Sequence, residues 1–384
     1  MKFSILSGAY VNAGDFLIVD RCIKLIKNVF PDCEVNVYER RKSLENKIEE
    51  LNNSDAIILA GGPAYLPNLY PETIPLVNNL EDITTKIIAI GLGWYGKQTD
   101  DLYLYEQYKF NDSTKRLLER IIKDSGYLTC RDWYTTRVLR ANGFDKVLMT
   151  GCPAWYNLQH INEKELRSDI HIPFKKICIS DPANSQNLGQ ALDLIKYIKN
   201  KFNEANITFV FHRIENKDNN YQVFRKQIEE LGIETQDISN SADGFSAYDD
   251  CDLHIGYRVH AHIYNLSNRN ISILIEEDGR GAGVNQAMGL PNITAYMDNA
   301  SKVPNKTLIG KGVRLLERKL FKIDSYKSNQ YIFEELEDYF TMLFNNNFSF
   351  FQTAFFNLQT YYQTMENYIR NSMIEEKGRK DASE

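Results

Sequence analysis

No apolar run approaches the roughly 18 residues that a transmembrane helix needs, so none is expected in this sequence. Its six cysteines, Cys22, Cys33, Cys130, Cys152, Cys178 and Cys251, are scattered, with no Cys-x-x-Cys pair. Buried reduced thiols, rather than a redox dithiol or a zinc ribbon, are the expectation. There is no block of basic residues: 45 Lys and Arg stand against 51 Asp and Glu, a formal net charge of −6. A nucleic-acid partner is not expected on that balance, and any anion site must be local. The first strand–helix turn lacks a complete G-x-G-x-x-G, so the dinucleotide fingerprint is absent there. The opening "MKFSILSGAYVNAGDF" meets Gly and Asp where a signal peptide would continue its apolar run, so no signal peptide is expected. The expected location is cytoplasmic, with peripheral contact at the inner face of the membrane as an extension of that reading.

What the sequence has is alternation. At 384 residues it is long for one core and comfortable for two domains. Short apolar runs such as "DAIILAGG" and "KIIAIGLG" end in glycine and read as strands buried on both faces. Helical stretches separate them, at 15–29, 43–52, 112–124 and 132–142. The polar "NLQHINEKELRSDIHIP" then marks a boundary, and the alternation restarts with "KKICISDP", a helix over 186–204, "ITFVFHR", a helix over 217–231, "CDLHIGY" and "ISILIEED". The expected fold class is α/β, with two Rossmann-like domains facing a cleft and an aromatic-rich C-terminal helical segment. Residues 1–165 are expected to form the first domain and residues 166–325 the second, followed by a helical extension over 326–374 and a disordered tail over 375–384. In the extension, Phe340, Phe344, Phe348, Phe351, Phe355, Leu358 and Tyr362 recur every three or four residues and make one apolar stripe. The stripe is expected to pack on the chain's own domains or on a second copy. A membrane-surface helix is the alternative, weakened by the scarcity of Lys and Arg on the polar face.

Ligands of such sheets gather at the carboxyl ends of the strands, so those ends carry the candidates. Gly14 and Asp15 lie between the first strand and helix, where Asp15 can cap the helix and the helix amides can meet an anion. Gly61 and Gly62 end a buried strand and allow close approach of backbone. Arg131 stands where a strand gives way to a helix, its plainer role being an ion pair with Asp132. Arg280 follows Glu276, Glu277 and Asp278 and sits among glycines at a helix start, a plausible anion cradle. In "HIGYRVHAH" the residues His254, Gly256, Arg258 and His260 alternate, so Arg258 and His260 share one side if the strand runs that far. Arg258 supplies a planar fork for carboxylate or phosphate, and His260 can exchange a proton near neutrality. Cys251, His254, His260 and His262 also admit a zinc reading, opposed by the adjacent arginine and by the spacing. His254 and His262 read more plainly as core histidines.

Taken together, these residues resemble the polysaccharide pyruvyl transferase family over roughly residues 5–300. The matching features are Gly14–Asp15 after the first strand, the Gly61–Gly62 turn, Arg131 opening a helix, and above all an R-x-H motif at Arg258 and His260. The turn departs from the family in having Pro63 as its third residue. A lysine usual after the following strand is also missing, and Arg280 is the nearest cation. The resemblance implies a fold similar to GT-B glycosyltransferases and a phosphoenolpyruvate donor as co-substrate, with no other cofactor and no metal. The acceptor would be a sugar or a lipid-linked glycan, and the product a pyruvate ketal plus phosphate. On that chemistry Arg258, Arg131 and Arg280 bind the donor, and His260 delivers a proton to its methylene carbon. Asp15, Glu277 or Asp278 takes the proton from the sugar hydroxyl, with Asp15 placed first. Gly14, Gly61, Gly62 and Glu277 then lie on the loop or acceptor side. Two rivals remain open: a nucleotide-sugar glycosyltransferase, with Glu276 or Glu277 on the ribose, and a non-catalytic carbohydrate- or anion-binding relative. A homo-oligomer, or contact with a membrane surface through the C-terminal helices, is a further expectation.

Overall fold

The computed structural model describes residues 1–96, 108–213, 219–297 and 327–374. The tail expected at 375–384, the stretch 298–325 of the second domain and the first two residues of the 217–231 helix lie outside the described residues. The first sheet holds β1 (Lys2–Ser7), β2 (Glu34–Glu39), β3 (Ala56–Ala60) and β4 (Lys86–Ile90), ordered β2-β1-β3-β4. Every pairing in it is parallel. β3 is buried at all five positions, which is why its run is continuously apolar rather than alternating. A bridge between Leu92 and Cys130 carries the sheet on to β5 (Leu128–Cys130), which pairs with β6 (Val147–Met149).

The second sheet is also parallel. Its strands are β7 (Lys176–Ser180), β8 (Asn206–Phe211), β9 (Glu234–Asp237), β10 (Leu253–Gly256), β11 (Ile271–Glu276) and β12 (Ile293–Thr294), in the order β9-β8-β7-β10-β11-β12. In both sheets the chain winds outward one way and then restarts the other way. The reversal falls between β1 and β3 in the first sheet and between β7 and β10 in the second. A crevice opens at the carboxyl ends of the strands at such a switch point.

The helices that matter for the site follow β1, β5, β10 and β11: α1 (Ala13–Val29), α3 (Trp133–Ala141), α6 (Val259–Ser267) and α7 (Gly279–Met288). Between α1 and α3 comes α2 (Asp112–Ser125), and α4 (Leu188–Lys201) and α5 (Asn219–Glu230) cover the second sheet. The chain closes with α8 (Ile332–Asn345) and α9 (Phe350–Ser372), separated at Asn347 and Phe348, which take positive φ of 47° and 59°. α9 packs on α1 and α2 of the first half and on α6 and α7 of the second. Phe351, Phe355, Leu358 and Tyr362 are buried there, so the stripe offered to a second copy or a membrane is spent inside the molecule. No described helix is long and apolar enough to cross a membrane.

Candidate functional site

The two switch points meet. Gly14, in the first turn of α1, lies so close to His260 of α6 that a Cβ built on it would sit 2.0 Å from His260 Nδ1 and 2.5 Å from Cγ. The backbone joins the halves at the same place: Ala13 N donates to His212 O at 3.1 Å, and Asn240 N to Val11 O at 2.8 Å. A little further along the seam, Gly279 N donates to Gly96 O at 2.9 Å. Gly14 and His260, 246 residues apart in the sequence numbering, therefore share one cleft.

On the second side, β10 stops at Gly256 (φ +148°), where a Cβ would strike Ser180 O at 2.5 Å. The chain turns there, and Arg258 becomes the N-cap of α6 with His260 in its first turn. The expectation that Arg258 and His260 share a strand face is thus corrected. They converge because one ends a turn and the other begins a helix. Arg258 forms a bidentate pair with Asp181 at the end of β7, Nε to Oδ1 at 2.7 Å and Nη2 to Oδ2 at 2.5 Å. Asp181 is fully buried and also accepts from His212 N at 3.1 Å. Burial works against the Arg258 charge, but the Asp181 carboxylate more than offsets it and holds the pKa above its usual value.

The other two arginines expected at the donor also face carboxylates. Arg131 Nε donates to Asp132 at 3.0 Å and its Nη2 to Trp94 O at 2.9 Å. Asp132 in turn caps α3 by accepting from Thr135 N at 2.8 Å. Arg280 Nε and Nη2 hold Asp278, the N-cap of α7, and the guanidinium carbon lies 5.1 Å above the Tyr95 ring centroid. All three cations act on His260. Burial first, then Arg280, Arg131, Arg258 and the more distant Arg21, push its pKa down to about 3. Among the described residues its ring makes no hydrogen bond. His260 is thus held neutral near pH 7.

The three carboxylates considered as bases separate clearly. Glu277 is taken up by the loop after β7, accepting from Ala183 N at 2.7 Å, Asn184 N at 3.0 Å and Asn187 Nδ2 at 2.6 Å. Asp278 is held by Arg280. Asp15 accepts one long bond from Asn12 Nδ2 at 3.3 Å. It does not cap α1, as the sequence had suggested, because Asn12 occupies the cap position and Asp15 lies three residues on, within the first turn. Burial lifts its pKa above the usual carboxylate value, against the pull of Arg40, Asn12, Arg41 and Arg280. Asp15 directly follows Gly14, the residue that meets His260.

Gly61 and Gly62 both take positive φ, +49° and +73°, and end β3 in a tight turn where Ile18 and Cys152 leave no room for a side chain at 61. Across that turn lies a residue the sequence reading passed over. Arg40 follows β2 and is 8% exposed, with its guanidinium laid against Gly8, Gly62 and the Gly61 carbonyl. Asp181 was missed as well. Both stand at carboxyl ends of strands, in "YERR" and "ISDP", which is the signal that could have found them.

The zinc candidates are dispersed into separate hydrogen bonds. His254 joins Ser272 Oγ at 2.7 Å and Ser180 Oγ at 2.9 Å, His262 joins the same Ser272 Oγ at 2.8 Å, and Cys251 faces Asn265 and Asn270. Among the described residues no group of three or more His, Cys, Asp or Glu could hold a metal ion.

Beneath the site, Glu276 is 1% exposed, with Oε1 bonded to Asn285 Nδ2 at 2.8 Å and Oε2 unpartnered. Burial, helped by Asp278 and opposed by Asn285, pushes its pKa up to about 8. A raised folded-state pKa means stability that is complete below the unfolded value near 4.5 and is lost as pH climbs through about 8. The loss is on the order of 3–5 kcal/mol. Glu276→Gln should abolish that slope, since an amide does not titrate, and Asn285 Oδ1, without a partner among the described residues, is an acceptor for the new NH2. Urea melts at pH 5 and pH 8 check it. The variant should gain on the wild type as pH rises, and a gap that does not widen would refute the assignment.

Two doubly wound parallel sheets with a cation-rich seam between their switch points make this a two-domain α/β protein with its site at the domain junction. A family model for polysaccharide pyruvyl transferases matches residues 12–268, and the chain belongs to that family of transferases. The match spans Gly14, Asp15, Arg131, Arg258 and His260 and ends before Glu277 and Arg280. A search of curated proteins gave no match. Among solved structures, S. aureus MnaA in a co-structure with UDP aligns at 11% identity and TM-score 0.45, covering 90% of this chain and 97% of that one. Anabaena HepE in complex with UDP and glucose aligns at 9% identity and TM-score 0.44, covering 96% of each chain. The UDP-GlcNAc 2-epimerase of Methanocaldococcus jannaschii, in complex with UDP-GlcNAc and UDP, aligns at 12% identity and TM-score 0.43, covering 89% and 100%.

Proposed function

We propose that the protein transfers the pyruvyl group of phosphoenolpyruvate to two hydroxyls of one sugar in a polysaccharide or its precursor. The observation that carries the reading is the contact of Gly14 with His260, which brings Asp15 and the R-x-H histidine to one cleft ringed by Arg131, Arg258 and Arg280. The donor is a small trianion at neutral pH, and guanidinium forks suit both its carboxylate and its phosphate. Its charge offsets the arginines around His260, so the imidazole gains a proton as the donor binds. His260 then protonates the methylene carbon, which becomes the methyl group, and C2 becomes oxocarbenium-like. A sugar hydroxyl adds to C2 and yields its proton to Asp15. Phosphate leaves, and the second hydroxyl adds with loss of its proton to close the ketal. The two hydroxyl protons balance the one placed on carbon and the one released to solvent or phosphate.

Donor identity can be tested by thermal melts at matched ionic strength. At 100 Kd a ligand that binds only the folded state stabilises by about 2.7 kcal/mol. For a chain this size that is a rise of several degrees at most, at about 2–4 °C or less per kcal/mol. Phosphoenolpyruvate should raise the midpoint more than phosphate does, with UDP, GDP and CDP near the blank. A clear shift with a nucleotide and none with phosphoenolpyruvate would replace this reading with a glycosyltransferase.

A further inference from the structure

The three arginines of the donor side each already face a carboxylate: Arg258 with Asp181, Arg131 with Asp132, Arg280 with Asp278. Arg40 is different. It is 8% exposed, and among the described residues its Nε has no partner, its hydrogen bonding is a long 3.4 Å contact to Gly61 O, and no carboxylate pairs with it directly, Asp15 acting on it only through its charge. A buried guanidinium left in this state is costly unless something supplies acceptors. The fold makes room for it deliberately. A Cβ on Gly8 would sit 2.6 Å from the Arg40 guanidinium carbon, and Gly62 lies 3.6 Å from Nη1 in the same sense. Arg40 thus spans the carboxyl ends of β1 and β3, the switch point of the first sheet.

We propose that Arg40 is the receptor for an anionic group, carboxylate or phosphate, on the acceptor glycan, so that the enzyme works on an acidic sugar. The proposal rests on the transferase reading above. Arg40 stands at the carboxyl ends of β1 and β3, and Asp15 follows Gly14, the residue that meets His260, in the first turn of the helix after β1. The Arg40 charge acts on Asp15. If Asp15 takes the proton of the attacking hydroxyl, the acceptor lies over Asp15 and its flank reaches Arg40. A groove of about 510 Å³ opens at Glu39 and Phe16, the chain neighbours of Arg40 and Asp15, and is lined by Ser7, Tyr10, Val37 and Tyr38 as well; Arg40 and Asp15 do not line it themselves. Tyr10 is 66% exposed, with Arg41 stacked 5.9 Å over its ring. An exposed ring beside carboxylate and hydroxyl groups suits sugar faces. Neighbouring sugars of a chain can run along it.

Calorimetry on the whole protein tests this with three probes: methyl glucuronide for a carboxylate source, glucose 1-phosphate for a phosphate source, and methyl glucoside as the neutral control. At least one acidic probe should bind the wild type at least tenfold more tightly than the glucoside, and that preference should vanish in Arg40→Gln. Arg40→Lys should keep part of it, as a point charge without the fork. Phosphoenolpyruvate affinity should stay within twofold in both variants. Because Arg40→Gln removes a buried guanidinium whose Nε is unpartnered among the described residues, its melting point should equal or exceed the wild type. A fall of several degrees would make Arg40 a structural residue and overturn the proposal. So would the absence of any preference for the acidic probes. An equal loss of phosphoenolpyruvate affinity in Arg40→Gln would move Arg40 to the donor and also overturn it. Failure of the wild type to bind phosphoenolpyruvate would instead strike the transferase reading, and is read independently.

Discussion

Replacing Gly14 with alanine will cost turnover as much as replacing His260 itself. The added methyl carbon would lie 2.0 Å from His260 Nδ1 and 2.5 Å from Cγ. Cγ is next to the backbone, so the ring cannot swing clear by rotating its far end. Either the imidazole or the first turn of α1 must move by an ångström or more. A positioned general acid contributes about 10²–10⁴-fold, and a displacement of that size forfeits it. His260→Gln should lose the same factor in kcat, with phosphoenolpyruvate affinity kept within a few-fold, since the arginines remain. The double variant should be no worse than either single one, because the methyl group and the missing imidazole remove the same function. The proton balance gives a second reading of the same residue. His260 is held near pKa 3 by burial and four arginines, so donor binding should take up a proton at pH 7. Calorimetry in buffers of different ionisation enthalpy should show that uptake in the wild type and lose it in His260→Gln. Additive losses in the double variant would place Gly14 outside the catalytic unit. Uptake that survives in His260→Gln would assign the proton to another group.

The sequence made the strands plain because buried parallel strands are uniformly apolar, as in "AIILA" and "ISILIE". The motif glycines and the R-x-H pair were equally readable. What it concealed is how cations and carboxylates pair over distance. Arg258 meets Asp181, 77 positions away, only because β10 pairs with β7 and brings Gly256 beside Ser180. The alternation His254, Gly256, Arg258, His260 mimics a strand, but Gly256 at φ +148° turns the chain and α6 begins at Val259. Arg40 carried no motif at all. Its setting is made by Gly8 and Gly62, which follow two other strands and leave the guanidinium room, with its Nε unpartnered among the described residues. The aromatic stripe was visible as a stripe, yet its partners, α1 and α2 on one side and α6 and α7 on the other, are set by the tertiary fold.

The pair beneath the motif predicts an asymmetry between its two members. Asp181→Ala leaves the Arg258 guanidinium, whose side chain is 11% exposed, without its bidentate acceptor. Arginine cannot shed its charge near neutral pH, so the full penalty of a broken buried pair applies, about 3–5 kcal/mol. The melting point should fall by about 5–10 °C. Arg258→Ala strands the other partner, but a carboxylate can escape by taking up a proton. Burial already holds the Asp181 pKa above its ordinary 3.8 against the pull of Arg258, and losing Arg258 lifts it further. The stability of Arg258→Ala is then complete below that value and is lost as pH rises through the new pKa. At pH 5 this variant should sit well above Asp181→Ala, and at pH 8 the two should draw together. Donor binding gives the opposite ranking. Arg258→Ala removes the fork and should abolish the melting shift with phosphoenolpyruvate, whereas Asp181→Ala leaves a cation that the donor carboxylate can satisfy and should show a larger shift than the wild type. The double variant, with neither charge, should recover much of the stability and none of the donor response. Equal pH profiles for the two single variants would show that the pair is not the buried ion pair the geometry describes. A donor shift that persists without Arg258 would remove this residue from the binding of phosphoenolpyruvate.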